Sequence, residues 1–168
     1  MPSPRIAFTE KNEIYFLTLT VIDWIPIFTN EEYFNIIIDN LKFYCNKINT
    51  RIFGYVIMLN HIHLIIQSDD AINFTKSLKG YTTKAILTKL QKDNRPYYKS
   101  LIVSGRIWQK ANMPILIYSE KFFNQKLDYI HNNPVEKGYV ESPEDWIYSS
   151  ARNYYNDDHS IIFVETEF

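Results

Sequence analysis

The stretch that most constrains the fold is RIFGYVIMLNHIHLIIQ, residues 51–67. Two runs rich in β-branched and aromatic residues flank Leu59 and Asn60, and asparagine is favoured in tight turns. The pattern therefore predicts a β-hairpin with strands at 51–58 and 61–67. Because the second strand is so apolar, the two histidines within it require an explanation.

These histidines are separated by a single isoleucine in IMLNHIHLII. Side chains alternate across a strand, so His61 and His63 share one face, about 7 Å apart at their Cα atoms. Two imidazoles at this spacing can converge on one divalent cation, but two ligands alone do not make a tight metal site. For the bare motif, two half-exposed histidines on the polar face of a sheet are the simpler interpretation. A metal site needs a third ligand and a reacting group from elsewhere in the chain.

Strand and helix patterns follow one another along the sequence, which predicts an α+β fold in which helices cover an antiparallel sheet. Periodicity leaves the strand order open. In the first strand, Tyr15, Leu17 and Leu19 should face one side, and Phe16 and Thr18 the other. The predicted elements beside the hairpin are a strand at 13–23, a helix at 31–48 capped by Asn30, a helix at 72–92, strand-like pieces within 101–118, a helix capped by Ser119 that runs to about Asn132 and is stopped by Pro134, and a short helix in WIYSSARNYY.

Composition limits the class of protein. A length of 168 residues suits one domain. The net charge of −1 argues against coating nucleic acid by bulk electrostatics, although a local basic groove is compatible with it. The one cysteine, Cys45, excludes an internal disulfide and favours a reducing cytoplasm. We expect no secretory signal in MPSPRIAFTEKNEIYF, and no apolar run approaches the roughly 18 residues of a membrane span.

A second chemically suggestive stretch is QKLDYIHNNPV, residues 125–135. Tyr129 and Asn133 are four residues apart near a helix end and so share a face, whereas His131 lies about 200° around the helix from Tyr129. An asparagine oxygen suits a hard cation such as Mg²⁺ or Mn²⁺, and a tyrosine supplies a phenolic nucleophile. The simpler alternative is a surface aromatic followed by a helix stop at Asn133 and Pro134.

Three motifs in order, VIMLNHIHLII, IWQ and DYIHNNPVEKGYV, are similar to those of the REP-associated tyrosine transposases. These belong with the single-tyrosine transposases of bacterial insertion sequences in the HUH nuclease superfamily, which is named for a histidine–hydrophobe–histidine motif. The resemblance covers most of the chain, from the first strand to DWIYSSARNYY. Each motif is weak alone, but their combination and spacing are specific.

The resemblance implies an HUH-type sandwich, ferredoxin-like or RRM-like, over residues 1–140, with 141–168 as a C-terminal extension packed on the same domain. It implies that His61, His63 and Asn133 bind Mg²⁺ or Mn²⁺ and that Tyr129 is the catalytic nucleophile. The implied reaction is cleavage and rejoining of single-stranded DNA at hairpin-associated sites through a 5′-phosphotyrosine. Tyr118 is a weaker nucleophile candidate, because Phe122 cannot serve as a ligand four residues later.

The expected partner is single-stranded or hairpin DNA, without a membrane, and the C-terminal tail favours a monomer while a dimer stays open. An alternative function is a hairpin-DNA binding protein retained by its host, with weak or no cleavage. A third interpretation makes the histidines structural. The expected DNA contacts, each of which could also be an ordinary solvated residue, are Lys76, Lys79 and Lys84 on the basic helix and Arg106 and Lys110 near Trp108.

Overall fold

The structure, a computed structural model, describes residues 11–110 and 114–168; residues 1–10, which include most of the segment considered for a secretory signal, lie outside it. The described residues form a four-stranded antiparallel sheet of order β2-β3-β1-β4 with five helices, which confirms the predicted α+β class. The strands are β1 (Ile14–Thr20), β2 (Thr50–Ile57), β3 (His61–Ser68) and β4 (Ile115–Leu116), and the helices are α1 (Glu31–Lys47), α2 (Ala71–Asp93), α3 (Lys99–Ser104), α4 (Glu120–Glu136) and α5 (Ala151–Asn156).

The predicted hairpin is confirmed, because β2 and β3 pair antiparallel from Thr50 opposite Ser68 to Ile57 opposite Ile62. β1 pairs with the other edge of β3, so β3 lies in the centre of the sheet. Alternation along these strands divides the apolar side chains between two clusters, one on each face. Tyr15, Leu17, Leu19, Ile62, Leu64 and Ile66 belong to one cluster, and Phe16, Val56 and Ile65 to the other.

Helices α1 and α2 cover the first face, and α4 covers the second. The predicted caps are present: Asn30 Oδ1 accepts from the backbone N–H of Tyr33, and Ser119 Oγ accepts from that of Phe122. Gly54 allows α4 to approach β2 closely, because a Cβ at this position would lie 2.9 Å from Leu127 Cδ1. The sheet face that carries the histidines is therefore the face under α4.

Two predictions for the second half of the chain were wrong. Pro134 does not stop α4, which continues to Glu136. A proline removes a single backbone donor from a helix, and the turn that ends α4 is made at Gly138, whose φ of +73° suits glycine. Likewise Leu101 and the three residues after it are helical, because burial of Leu101 under the first face outweighs the strand preference of its neighbours.

Two short pieces of the predicted 101–118 strand region do extend the sheet. Trp108 forms an isolated antiparallel bridge with Val21, and β4 pairs with Tyr15 and Phe16. Residues 111–113 of this region lie outside the described residues. None of the helices described is both long and apolar enough to cross a membrane.

Residues 141–168 run along β2. The indole N–H of Trp146 donates to Ile57 O, Ser150 N–H donates to Tyr55 O, and Glu165 N–H donates to Ile52 O. Ile162 and Val164 belong to the cluster on the α1 and α2 face, and Tyr154 packs against the cluster under α4. This segment therefore holds the outer edge of the sheet at several points.

Candidate active site

The two histidines of β3 lie side by side beneath α4. His61 is 6% exposed and His63 is 4% exposed, so neither is the half-exposed surface residue of the simpler interpretation. Their ring centroids are 4.8 Å apart. Phe16 stacks on His63 from the neighbouring strand, and the exposed Trp24 meets the edge of His61. Strand alternation aims both imidazoles at the same space, and aromatic neighbours hold them there.

Hydrogen bonds fix the orientation of each imidazole. Asn60 Nδ2 donates to Trp24 O, which turns Asn60 Oδ1 towards His61 Nδ1 at 2.7 Å. His61 Nδ1 therefore carries the proton, and its Nε2 keeps a lone pair. His63 Nδ1 is bonded to Thr18 Oγ1 at 2.8 Å. Partners of this kind on the far nitrogen are typical of histidines that ligate a metal through Nε2.

Both histidines are neutral at physiological pH. Burial lowers the pKa of His61 to about 4, and the positive charge of Lys137 contributes. Burial likewise lowers the pKa of His63 to about 3, with smaller contributions from His61 and Lys126. A neutral imidazole is the form that binds a metal ion. The site therefore presents uncharged nitrogen ligands at pH 7.

Tyr129 reaches this space from α4. The Tyr129 side chain is 44% exposed, and its ring lies 5.2 Å from the His63 ring and 6.2 Å from that of Phe16. Asn133, one turn later, is buried. His131 points elsewhere, as predicted, and its Nε2 is bonded to Ser150 Oγ at 2.8 Å. On α4, Tyr129 therefore faces the histidines, whereas His131 is bonded to the C-terminal segment.

Two buried polar atoms at this site have no partner within the part of the chain that the structure describes: His63 Nε2 and Asn133 Oδ1. A buried acceptor left unpaired costs about 1–3 kcal/mol, so a native protein rarely keeps one without use. Nitrogen and amide-oxygen donors suit Mn²⁺ or Mg²⁺. Residues 11–110 and 114–168 contain no cluster of three His, Cys, Asp or Glu side chains, and the role of Asn133 as a third donor stays a prediction. The side chains present therefore fit a divalent metal.

Residues 13–133 match the family model described as "Transposase IS200 like". The chain belongs to the IS200-like transposase family. This family consists of single-tyrosine transposases, which are HUH nucleases. The match includes β1, the histidine strand and the tyrosine helix as far as Asn133.

Individual relatives extend the match beyond the family model. A REP-associated tyrosine transposase of Haemophilus influenzae is 30% identical over 152 residues, which are 89% of this chain and 85% of that protein. A structure of a REP-associated tyrosine transposase bound to a REP hairpin superposes with a TM-score of 0.69 at 18% identity, over 99% of this chain and 94% of the other. A transposase-like protein of Deinococcus radiodurans gives 0.50 at 17% identity, over 76% and 95%.

Helix α2, which carries the predicted basic residues, lies on the sheet face away from the histidines. Lys76 and Lys84 are exposed on α2, and Lys79 Nζ donates to Gln109 O. Because α2 and α4 cover opposite faces of the sheet, these lysines are not brought to Tyr129. Their role in DNA binding stays a prediction.

The segment that contains Arg106 and Lys110, both exposed, passes closer to the histidines. Gln109 N–H between them donates to Thr20 O, and Thr20 is paired with His61 in the sheet. Trp108 itself is buried, and its indole N–H donates to Thr82 Oγ1, so it packs α2 against the sheet. A role of Arg106 and Lys110 in DNA binding is likewise a prediction.

Sequence reasoning missed two lysines that the fold brings to the site. Lys126 lies on α4, and Lys137 follows its last residue. Lys126 lies over the rings of Phe16 and Tyr129, and Lys137 acts electrostatically on His61. The helical repeat contained a signal for Lys126, because residues three apart share a helix face. The proximity of Lys137 to the histidine strand is visible only in the tertiary structure.

Proposed function

We propose that this chain is a metal-dependent single-stranded DNA endonuclease and strand transferase that forms a 5′-phosphotyrosine at hairpin-associated sites. The observation that carries the proposal is the half-exposed phenol of Tyr129 beside two buried, neutral histidines, one with an unpaired ring nitrogen. Membership of the transposase family supports the reaction class.

His61, His63 and Asn133 would hold Mg²⁺ or Mn²⁺, and the bound ion would supply positive charge to the phosphate of the substrate. The surrounding residues would hold these donors in a fixed orientation. Asn60 and Thr18 fix the two imidazoles, and α4 places Asn133 one turn beyond the nucleophile. Such a preformed site costs little reorganisation when DNA binds.

The chemical step uses the hydroxyl of Tyr129. Its oxygen attacks phosphorus, the bond from phosphorus to the 3′-oxygen breaks, and the DNA is left with a free 3′-hydroxyl and a 5′-phosphotyrosine link. The phenolic proton passes to solvent, which the exposure of Tyr129 permits, and the 3′-oxygen takes a proton from solvent. The new link conserves the energy of the phosphodiester, so another 3′-hydroxyl can reverse the step and join a strand.

The substrate we infer is single-stranded DNA next to a hairpin. The support is the structural relative that was solved bound to a REP hairpin and matches this chain over 99% of its length. We also infer that a single chain forms the complete site, since Leu127 and Ile130 of α4 pack in one cluster with Ile65 of the histidine strand. Arg106 and Lys110 would contact the DNA near the site, and Lys76, Lys79 and Lys84 would contact it on the far side of the sheet.

The test uses end-labelled single-stranded oligonucleotides that contain hairpins, incubated with Mn²⁺ and resolved on a denaturing gel. The wild-type protein should give a slower, protease-sensitive DNA band, and Tyr129→Phe should give none. Tyr118→Phe is the matched control, because it removes an exposed tyrosine just before the same helix. An adduct that survives in Tyr129→Phe would refute the assignment of the nucleophile. Hairpin binding without any adduct would favour the alternative of a DNA-binding protein.

Metal binding is tested separately by titration with Mn²⁺. His61→Ala combined with His63→Ala should abolish binding to the folded protein. Mn²⁺ affinity that the double substitution leaves unchanged would mean that the histidines are structural.

A further inference from the structure

Lys126 occupies an unusual position on α4. It lies one turn before Tyr129 and is half-buried. Its Nζ is 4.8 Å from the centroid of the Phe16 ring, 5.3 Å from that of Phe122 and 5.9 Å from that of Tyr129. Three aromatic rings thus hold one ammonium group beside the proposed nucleophile.

This ammonium has no acidic partner among the residues that the structure describes. Within residues 11–110 and 114–168, no carboxylate forms an ion pair with Lys126. Burial lowers its pKa, with no opposing effect from an acid. A cation–π contact offsets only part of the cost of removing an ammonium from water.

Another lysine of the same chain shows what a structural arrangement looks like. Lys89 Nζ also lies over a tyrosine, 5.0 Å from the ring centroid of Tyr33. It forms ion pairs with both Glu32 and Asp93, and these acids raise its pKa. Each lysine lies over a tyrosine ring, but among the described residues only Lys89 forms ion pairs with acids. The missing anion at Lys126 therefore points to a ligand.

We propose that Lys126 is a catalytic residue that binds a non-bridging oxygen of the phosphate attacked by Tyr129. The proposal rests on the proposed function. As the bond from the Tyr129 oxygen to phosphorus forms and the bond to the 3′-oxygen breaks, negative charge grows on the non-bridging oxygens. The ammonium neutralises that charge and stays protonated throughout, so proton exchange with solvent is as described above. After the step, the same ammonium contacts the phosphotyrosine.

The location of Lys126 explains why the phosphate would be its anion. Its neighbours Phe16 and Tyr129 are also the neighbours of the His63 ring. A phosphate within reach of the phenol is therefore within reach of this ammonium. The three rings surround the end of the lysine side chain, and charge stabilisation is stronger beside apolar groups than in open water.

The first experiment compares Lys126→Met with Lys126→Arg in single-turnover formation of the covalent adduct at saturating DNA. Removal of one preorganised group that stabilises charge should slow the step about 100-fold, and arginine should restore most of the rate. Lys121→Met is the matched control, since Lys121 is an exposed lysine of the same helix. Equal rates for Lys126→Met and Lys121→Met would overturn the proposal. Lys126→Gln gives a second neutral variant if the methionine variant does not fold.

The second experiment separates phosphate contact from a structural role of Lys126. In a methylphosphonate at the cleaved position, a neutral methyl group replaces a charged non-bridging oxygen. On this substrate the gap between wild type and Lys126→Met should shrink from about 100-fold to a few-fold. A gap that persists would mean that Lys126 acts on the fold or on Tyr129, and would overturn the proposal.

The third experiment tests the contact between Lys126 and phosphate without requiring catalysis. If wild-type protein forms no adduct, the proposed function fails, but the phosphate contact can still be measured by fluorescence anisotropy with labelled single-stranded DNA. Loss of one phosphate contact should reduce the slope of log affinity against log salt by about 0.7 in Lys126→Met. An unchanged slope would overturn the contact itself.

Discussion

Replacement of Asn133 by leucine should increase the stability of the metal-free protein and weaken its binding of a metal ion. Asn133 Oδ1 is buried and accepts no hydrogen bond from the described residues. Leucine is similar in shape and leaves no unpaired carbonyl, which is worth about 1–3 kcal/mol, and it favours a helix by a few tenths of a kcal/mol more than asparagine. In the absence of metal, we expect Asn133→Leu to raise the free energy of unfolding by about 1–3 kcal/mol.

The measurement is urea denaturation at pH 7.5, first with EDTA and then with increasing Mn²⁺. Wild-type protein should gain about 1.4 kcal/mol for each tenfold rise in Mn²⁺ above the dissociation constant, and Asn133→Leu should lose most of this gain. Asn133→Asp is the opposite control: its buried carboxylate should destabilise the metal-free protein and increase the response to Mn²⁺. A leucine variant that is less stable in EDTA, or that keeps the wild-type response to Mn²⁺, would refute the reasoning.

Three further predictions concern how α4 is held. Gly54→Ala should lower the free energy of unfolding by about 1 kcal/mol, because the new Cβ displaces the Leu127 side chain; urea denaturation measures this, and an unchanged midpoint would show that α4 adapts freely. Ser150→Ala should cost about 1–3 kcal/mol in the same assay by leaving His131 Nε2 buried without its partner. Burial lowers the pKa of His131 from 6.5 to about 4, so the unfolded chain binds a proton that the folded protein does not. As pH drops from 6.5 to about 4, His131 should therefore contribute about 3 kcal/mol to the loss of stability, in addition to the losses from His61 and His63. Denaturation across this pH range should show a fall in stability that is smaller by that amount in His131→Gln.

Local rules were sufficient wherever a short repeat decided the structure. The period of two in β1 and β3 correctly placed alternate residues on opposite faces, including His61 and His63. The side-chain caps at Asn30 and Ser119 were also correct, because a cap is a contact between residues three apart. The family itself could be inferred from three short motifs.

Local rules failed where packing opposed them. The region after Tyr98 is rich in β-branched residues, yet it forms a helical turn because Leu101 is buried against the first sheet face. Pro134 carries a strong local signal for a helix end, yet it is buried in α4, which the turn at Gly138 ends instead. In both cases, burial of a side chain outweighed the local backbone preference.

The sequence by itself determined which donors exist, which face of β3 carries the imidazoles, and which side of a helix carries Tyr129 and Asn133. Only the tertiary structure decided that these two faces meet, because the contact between residues some seventy positions apart depends on Gly54, Leu127 and the shape of the sheet. It also decided that Lys126 would lie beside the phenol with no acidic partner among the described residues, since charge pairing depends on every element around a residue. Spacing within one helix or strand determines which way a side chain points, whereas packing between elements determines what that side chain contacts.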